Sequence, residues 1–441
     1  MAWTSLGGWG RQGQMPHCPL RAAKASRPKF LTVERSKNSR PKPRRALSIA
    51  SMSAFSSAVD QITDHIRQAR TVSNPQERLL KVHGGGSKDF FGAGLSGNVL
   101  STRALQGIVS YEPSELVVTV QAGTLLTDLE AVLLEKNQCL PFEPPHFQAG
   151  STVGGMVAAG LSGPSRASVG AVKDYVLGAR FINGKGEHLT FGGQVMKNVA
   201  GYDVSRLLAG SWGTLGVMTE ISLKVLAFAP CEATLVFHVP QEAALVLLHR
   251  WGGQPLPLNA SCWVHDPMEV SGGVKLFVRL RGALAAVQAA LPRMRADALA
   301  LGGSCELVDN GQASSDWAAA RDQRLPFFST PPASDLCLWR LSVAQTAPML
   351  ELPCAQFIEW HGGQRWLWAP AASAAQLHAL ARGAGGHATL FRRPGGASAG
   401  VQAGAPVFAT LDATQARIQS ALQQHFDPDG VFNTCRLHPV A

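Results

Sequence analysis

Apolar residues recur at helical spacing at Phe55, Val59, Ile62, Ile66 and Ala69, which predicts a helix over 54–70 with one buried stripe. The period then shortens to two. "RLLKVHGGG" reads as a short strand running into a glycine loop, and "GIVSYEP" and "ELVVTVQAG" as two further strands rich in Val and Ile. "TLLTDLEAVLLEKN" returns to helical spacing, with Thr124 placed to cap it and Asn137 at its end. After a Pro-rich loop, "STVGGMVAAGLSG" predicts a short helix of small residues. "DYVLGARFINGKGEHLTF" predicts a hairpin about Gly-Lys-Gly, "YDVSRLLAG" a helical turn, and "GVMTEISLKV" a strand on which Ile221, Leu223 and Val225 alternate.

Near 226–231 the texture changes. Strand 232–239, helix 241–250, strands 259–265 and 273–280, helix 283–297 and strand 304–309 follow in βαββαβ order, a sheet with helices on one face. The alternation continues less clearly through "LCLWRLS", "QRWLWAP" and "HATLFRR". "GGASAGVQAGAP" reads as a loop and "LDATQARIQSALQQHF" as a last helix. The expected organisation is a basic extension over 1–52, a first domain over 53–230, a second over 231–410, and a tail over 411–441 returning to the first. No short-period repeat is visible.

The formal charge of +10 suggests an anionic partner until it is located. Residues 1–50 hold eleven Lys/Arg and one acid, Glu34, so the remaining 391 residues carry 29 basic and 29 acidic groups. The body is neutral, which argues against nucleic acid. The extension is too polar to order itself; a transit peptide, a basic arm and a true start at Met52 all fit it. No run of 18 apolar residues spans a membrane. The eight cysteines are scattered without a C-x-x-C, which excludes a self-contained zinc ribbon or ferredoxin-type cluster and fits a reducing compartment.

The stretch "VHGGGSK", residues 82–88, looks like a phosphate loop. A nucleoside-triphosphate loop needs Lys directly after its last glycine, a hydroxyl next, and a helix behind it; here Ser87 precedes Lys88, Asp89 follows, and "DFFGAGLSG" is turn-rich. A dinucleotide fingerprint fails for want of the same helix. The second cluster, "GSTVGG" at 150–155, opens a short helix, and glycines there let backbone N–H groups approach an anion. Two such loops can clasp a diphosphate from both sides.

The succession "VTVQAGTLLTDLEAVL", "AGSTVGGMVAAG", "VGAVKDYVLGARFINGKGE" and "KNVAGYDVSRLLAGSWGTLGVMTEISLKV" resembles the vanillyl-alcohol-oxidase-type (PCMH-type) FAD-binding domain, and within it the FAD-binding E subunit of glycolate oxidases. The resemblance is strong over about 80–230 and returns at "GGQRWLWAP", "LFRRPGG" and "FDPDGVFNTCRLHP". It implies an α+β chain: a two-subdomain FAD-binding domain and a cap with ferredoxin-like βαββαβ character.

It also implies FAD, bound without a covalent tether, on Gly84, Gly85, Gly86, Ser87 and Lys88 and on Gly150, Ser151, Thr152, Val153, Gly154 and Gly155. Ser162, Gly163, Pro164 and Gly170 would pass near the flavin, Asp174 would hold a loop amide or the cofactor, and Gly216, Val217 and Met218 would lie by the adenine or ribose. His83, before the glycines, reads as an ordinary hydrogen-bonded histidine rather than a tether.

Relatives that oxidise D-2-hydroxy acids carry a histidine-rich metal segment in the cap; nothing here matches, and no metal site is expected. "GSWGTLG" places Trp212 where those relatives commonly have Glu. Tyr202, His361, Arg392, Arg393 and Arg436 remain the candidates for polar or anion contacts. Thr434-Cys435 stands where relatives show Pro-Gly, which puts the placement of Arg436 in doubt. The resemblance implies a glycolate-oxidising subunit acting beside a larger FAD subunit and an iron–sulfur subunit, cytoplasmic and held at the inner membrane through that complex. A self-sufficient alcohol or sugar-lactone oxidase and a non-catalytic flavin scaffold are the alternatives.

Overall fold

The computed structural model describes residues 49–94, 97–193, 203–265, 273–394, 406–432 and 436–437. The first domain begins with helix Ile49–Arg70, whose Ile62, Ile66 and Ala69 are buried as the spacing predicts. Strands β1 (Leu80–His83) and β2 (Asn98–Ser101) pair in parallel beneath it. Then come β3 (Ile108–Glu112), β4 (Val117–Gln121), the short β5 (Gln138–Cys139), β6 (Val176–Ile182), β7 (His188–Gly192), β8 (Val217–Lys224) and the short β9 (Leu226–Ala227). Five of these form an antiparallel sheet in the order β3-β4-β8-β6-β7. Helices Leu126–Leu134 and Val153–Ala159 bury Leu126, Leu129, Leu133, Val153, Met156 and Val157 with Val118, Val120 and Ile221 of the sheet.

Two local expectations change. Thr124 caps no helix: its hydroxyl takes the Gly107 N–H at 2.9 Å, and the helix begins after Leu125 without a side-chain cap. Strand β2, directly after the turn-rich "DFFGAGLSG", is not among the strands read from the sequence; it is short, and its Val99 is exposed while Leu100 is buried.

The second domain is one eight-stranded antiparallel sheet made of β10 (Cys231–His238), β11 (Leu258–His265), β12 (Val274–Gly282), β13 (Ser304–Val308), β14 (Cys337–Ser342), β15 (Gln356–Glu359), β16 (Gln364–Ala369) and β17 (His387–Arg392). Its order is β13-β10-β12-β11-β15-β16-β14-β17. The first four strands, with helices Gln241–Gly252 and Leu284–Leu299, form the predicted βαββαβ unit. The last four repeat the same spatial order as a mirror reading, with helix Ala374–Gly383 before β17 and no helix between β14 and β15. The two units meet edge to edge at β11 and β15, over the pairs Cys262↔Glu359, Trp263↔Ile358 and Val264↔Phe357.

One face of this sheet is covered by its own helices, around Leu247, Trp251 and Met294 in the first unit and Leu377 and Ala381 in the second. The other face, with Cys262, Phe357, Trp366 and Phe391, packs against Phe91, Leu161 and Trp212 of the first domain. The chain's last described segment runs back to β1, where the Leu80 N–H donates to the Val431 carbonyl at 2.7 Å and Phe432 is fully buried.

Candidate functional site

Both glycine loops meet at one cleft of about 650 Å³, part of it open to solvent. It is lined by Gly84, Gly85, Gly86, Ser87 and Lys88 from the first loop, Thr152, Gly154 and Gly155 from the second, and Gly216 and Met218 from β8 and its approach. The loops interlock. A Cβ on Gly84 would strike the Thr152 hydroxyl, and one on Gly85 the Gly150 carbonyl. Among the described residues, the N–H groups of Gly85, Gly86, Ser87 and Lys88 find no acceptor, which leaves a row of donors for an anion.

Gly154 works differently from the expectation. Its N–H donates to the Ala122 carbonyl at 2.7 Å, and a Cβ there would come within 2.8 Å of Ala122. Its smallness lets the helix dock on β4, and its amide is already engaged. Gly155 donates to the Thr152 hydroxyl, which caps the helix.

Lys88 is the charge of the cleft. It is 6% exposed, and its Nζ donates to Ser87 Oγ at 3.2 Å and Ser151 Oγ at 3.1 Å. Burial pulls its pKa down to about 8. No carboxylate comes within ion-pair distance of it among the described residues, and Asp322 attracts it only from farther off, so a buried ammonium stands at the junction of the loops without a direct counter-ion. A diphosphate supplies one. Arg436 stands in the same cleft, not at a separate catalytic position: its Nη2 donates to the Lys88 and Phe91 carbonyls at 3.1 and 3.3 Å, and its Nε is buried without a partner among the described residues. Its guanidinium lies 4.6 Å over the Trp212 ring, which stacks on Phe91 at 4.5 Å. Trp212 adopts φ 55°, a costly conformation for a bulky residue, fixed by those two contacts.

The other sequence candidates separate. Ser162, Gly163 and Pro164 line a second, smaller cavity of about 350 Å³ between the two domains. Val153 and Val217 are core residues, and Gly150 and Ser151 support the loops from behind. Asp174 holds a loop amide, accepting from Ala171 N–H at 2.8 Å beside Gly170, and neither residue lines either of these two cavities. His83 stands 3.7 Å from Asp89, which Lys81 approaches at 3.0 Å.

Of the candidates for catalysis, Tyr202 lies outside the described residues. Arg392 is held within the second domain by Gln323 Oε1 at 2.7 Å and the Phe328 carbonyl. His361 has no free nitrogen: Nδ1 and Nε2 each lie 2.9 Å from a hydroxyl, of Ser261 and of Ser168. Burial lowers its pKa to about 4, so it is a neutral strut between the domains. His361→Ala should lower stability by about 1–3 kcal/mol, by orphaning two hydroxyls, and leave flavin content unchanged; thermal unfolding and absorbance check both. Sequence reasoning passed over Val82, Asp89, Thr102, Ala122, Ala158 and Gly213 as cleft residues; only Gly213, within "GSWGTLG", carried a glycine signal.

A profile of the FAD binding domain family matches residues 59–192. The chain is 41% identical over 377 residues to glycolate oxidase subunit GlcE of Escherichia coli (strain K12), covering 86% of this chain and 96% of that one. Over 140 residues it is 32% identical to glycolate oxidase subunit GlcD of Bacillus subtilis (strain 168), covering 32% of this chain and 30% of that one. Among solved structures, an alkyldihydroxyacetonephosphate synthase superimposes with a TM-score of 0.59 at 14% identity, over 86% of this chain and 76% of that one, a likeness of fold. The chain belongs to the family of the glycolate oxidase subunit GlcE, and is an FAD-dependent oxidoreductase subunit of PCMH-type α+β fold.

Proposed function

We propose that this chain is the FAD-binding subunit of a glycolate (2-hydroxy acid) dehydrogenase complex, converting glycolate to glyoxylate and passing electrons to an iron–sulfur subunit and quinone beside a larger FAD subunit. The observation that carries the reading is the buried, unpaired Lys88 at the meeting of two interlocked glycine loops. The resulting cleft fits the diphosphate of FAD: N–H donors on one side, an ammonium at the centre, Arg436 and the Trp212 ring at the edge. When bound, FAD supplies the two-electron acceptor. The chain's own part is to hold the diphosphate, close the domains over the cofactor and keep water out. With His83 turned to Asp89, non-covalent binding is the reading.

The subunit names of the relatives and the scattered cysteines support assigning the clusters to another chain. Among the described residues no three His, Cys, Asp or Glu side chains gather as metal ligands. No described helix is long and apolar enough to cross a membrane, so the cytoplasmic chain would reach the inner membrane through its partners.

Lys88→Met should weaken FAD by roughly 10- to 100-fold, the worth of about 1.5–3 kcal/mol for a charge-assisted contact. Flavin fluorescence quenching on titration reads it. For the complex, a tagged chain should co-purify with partner subunits and one flavin of its own. Full-rate dye reduction by glycolate with the pure chain alone would sink the subunit reading in favour of a self-sufficient oxidase.

A further inference from the structure

The turn after β2 holds the first glycine loop by two consecutive carbonyls. Beyond the last pair of the ladder, His83↔Ser101, the Thr102 N–H donates to the His83 carbonyl at 3.0 Å. The next residue, Arg103, donates from its Nε to the Gly84 carbonyl at 3.1 Å. A trans peptide points its C=O and its N–H in opposite directions. The Gly84–Gly85 peptide is therefore pinned with its oxygen on Arg103, and the Gly85 N–H, the first of the unpaired row, is turned away from that side chain. Gly84, Gly85 and Gly86 line the diphosphate cleft and Arg103 does not. The arginine thus grips the loop from behind while the amide fronts the cleft.

The same guanidinium reaches the second loop. A Cβ on Gly150 would come within 3.0 Å of Arg103 Nη2, and the next nearest atom to it is the Gly85 carbonyl oxygen at 3.6 Å. Arg103 therefore sits where the two loops cross. Its side chain is exposed, and among the described residues no carboxylate forms an ion pair with it, so its charge is not cancelled at short range. A cation bound to a carbonyl polarises the whole peptide, and the N–H at the other end becomes a stronger donor. Arg436 makes the corresponding contact at the far end of the loop, on the Lys88 carbonyl. The stretch from Gly84 to Lys88 is bracketed by guanidiniums at its first and last carbonyls, with Lys88 Nζ facing the cleft between them.

We infer that Arg103 is a positioning residue for the cofactor's diphosphate. Without lining the cleft, it fixes and polarises the Gly84–Gly85 peptide and ties the two glycine loops together, so that the Gly85 N–H is aimed at the anion. The inference rests on the reading of this cleft as the FAD site. Lysine replaces the arginine only in part, because one ammonium reaches one loop where a planar guanidinium spans both. The action is on the diphosphate, so ADP, which also carries one, should feel it as FAD does.

The test is titration of the full, flavin-free chain with FAD and separately with ADP, for wild type, Arg103→Met and Arg103→Lys, at several salt concentrations. In Arg103→Met the Kd should rise at least about fivefold, by the same factor for both ligands, with a smaller rise in Arg103→Lys. The salt dependence of binding should be shallower in Arg103→Met and keep its wild-type slope in Arg103→Lys, since lysine restores the charge. The thermal midpoint of the flavin-free chain should be the same in all three. A midpoint that falls in Arg103→Met with an unchanged salt slope makes the residue a prop for the fold and overturns the assignment. A loss for FAD that ADP does not share overturns it as well. Wild type that binds neither ligand sinks the cofactor reading and this inference with it. Wild type that binds both, with Arg103→Met binding them equally well, sinks this inference alone.

Discussion

Replacing Gly85 with alanine is expected to yield a folded chain that no longer retains FAD. The new methyl group would lie within the envelope of the Gly150 carbonyl oxygen, which is backbone and cannot swing aside. The loops must part, and the row of N–H donors leaves register with Lys88. Forced overpacking of this kind costs about 1–3 kcal/mol, and every 1.4 kcal/mol taken from the cofactor is about tenfold in affinity. Gly383→Ala is the control, since it lies on a second-domain helix outside the cleft and its methyl meets nothing within 4 Å. Flavin absorbance per polypeptide after gel filtration distinguishes them. Full flavin in Gly85→Ala would remove the interlock from the account of the site.

The second large effect belongs to the joint between the domains. Glu143, on a first-domain loop, receives Arg279 Nη2 at 2.6 and 2.8 Å and Arg281 Nη1 at 3.0 Å, and Arg281 is shared with Glu232. Arg279 is 2% exposed. Glu143→Gln leaves two buried arginines short of charge and should cost about 3–5 kcal/mol, the usual penalty for breaking such a network. The arginines hold Glu143 near pKa 2 against an ordinary 4.5 despite its burial. A carboxyl depressed on folding stabilises fully above its ordinary value, so this contribution is lost as pH falls from about 4.5 toward 2. Thermal unfolding across that range should show wild type and Glu143→Gln converging at the acid end; parallel curves would contradict the pairing.

The first βαββαβ unit was legible because β10 to β13 and their two helices keep clean periods and short connections. The second was not, because residues 343–355 replace its first helix with an irregular stretch containing Pro348 and Pro353, and a unit without that helix does not look like its neighbour. The glycine loops were legible as a place but not as a set of roles. Glycine at 154 announces close approach, and only the fold shows that the approaching group is Ala122 rather than a phosphate. His361 looked free in sequence because Ser168 and Ser261, far along the chain, claim its nitrogens. Arg340 is a lone charge in "LCLWRLS", and its missing partner is visible only once the strands around it are in place.

The doubled sheet divides labour between its halves. Each half turns an arginine toward the flavin domain: Arg279 in the first is fastened to Glu143, and Arg340 in the second is left open. The first half is therefore the anchor, joined to the second by three residue pairs. Glu359 belongs to both the seam and the cavity. A change at this one carboxyl is therefore felt in both halves of the cap, through its Cys262 pair on one side and the cavity wall on the other.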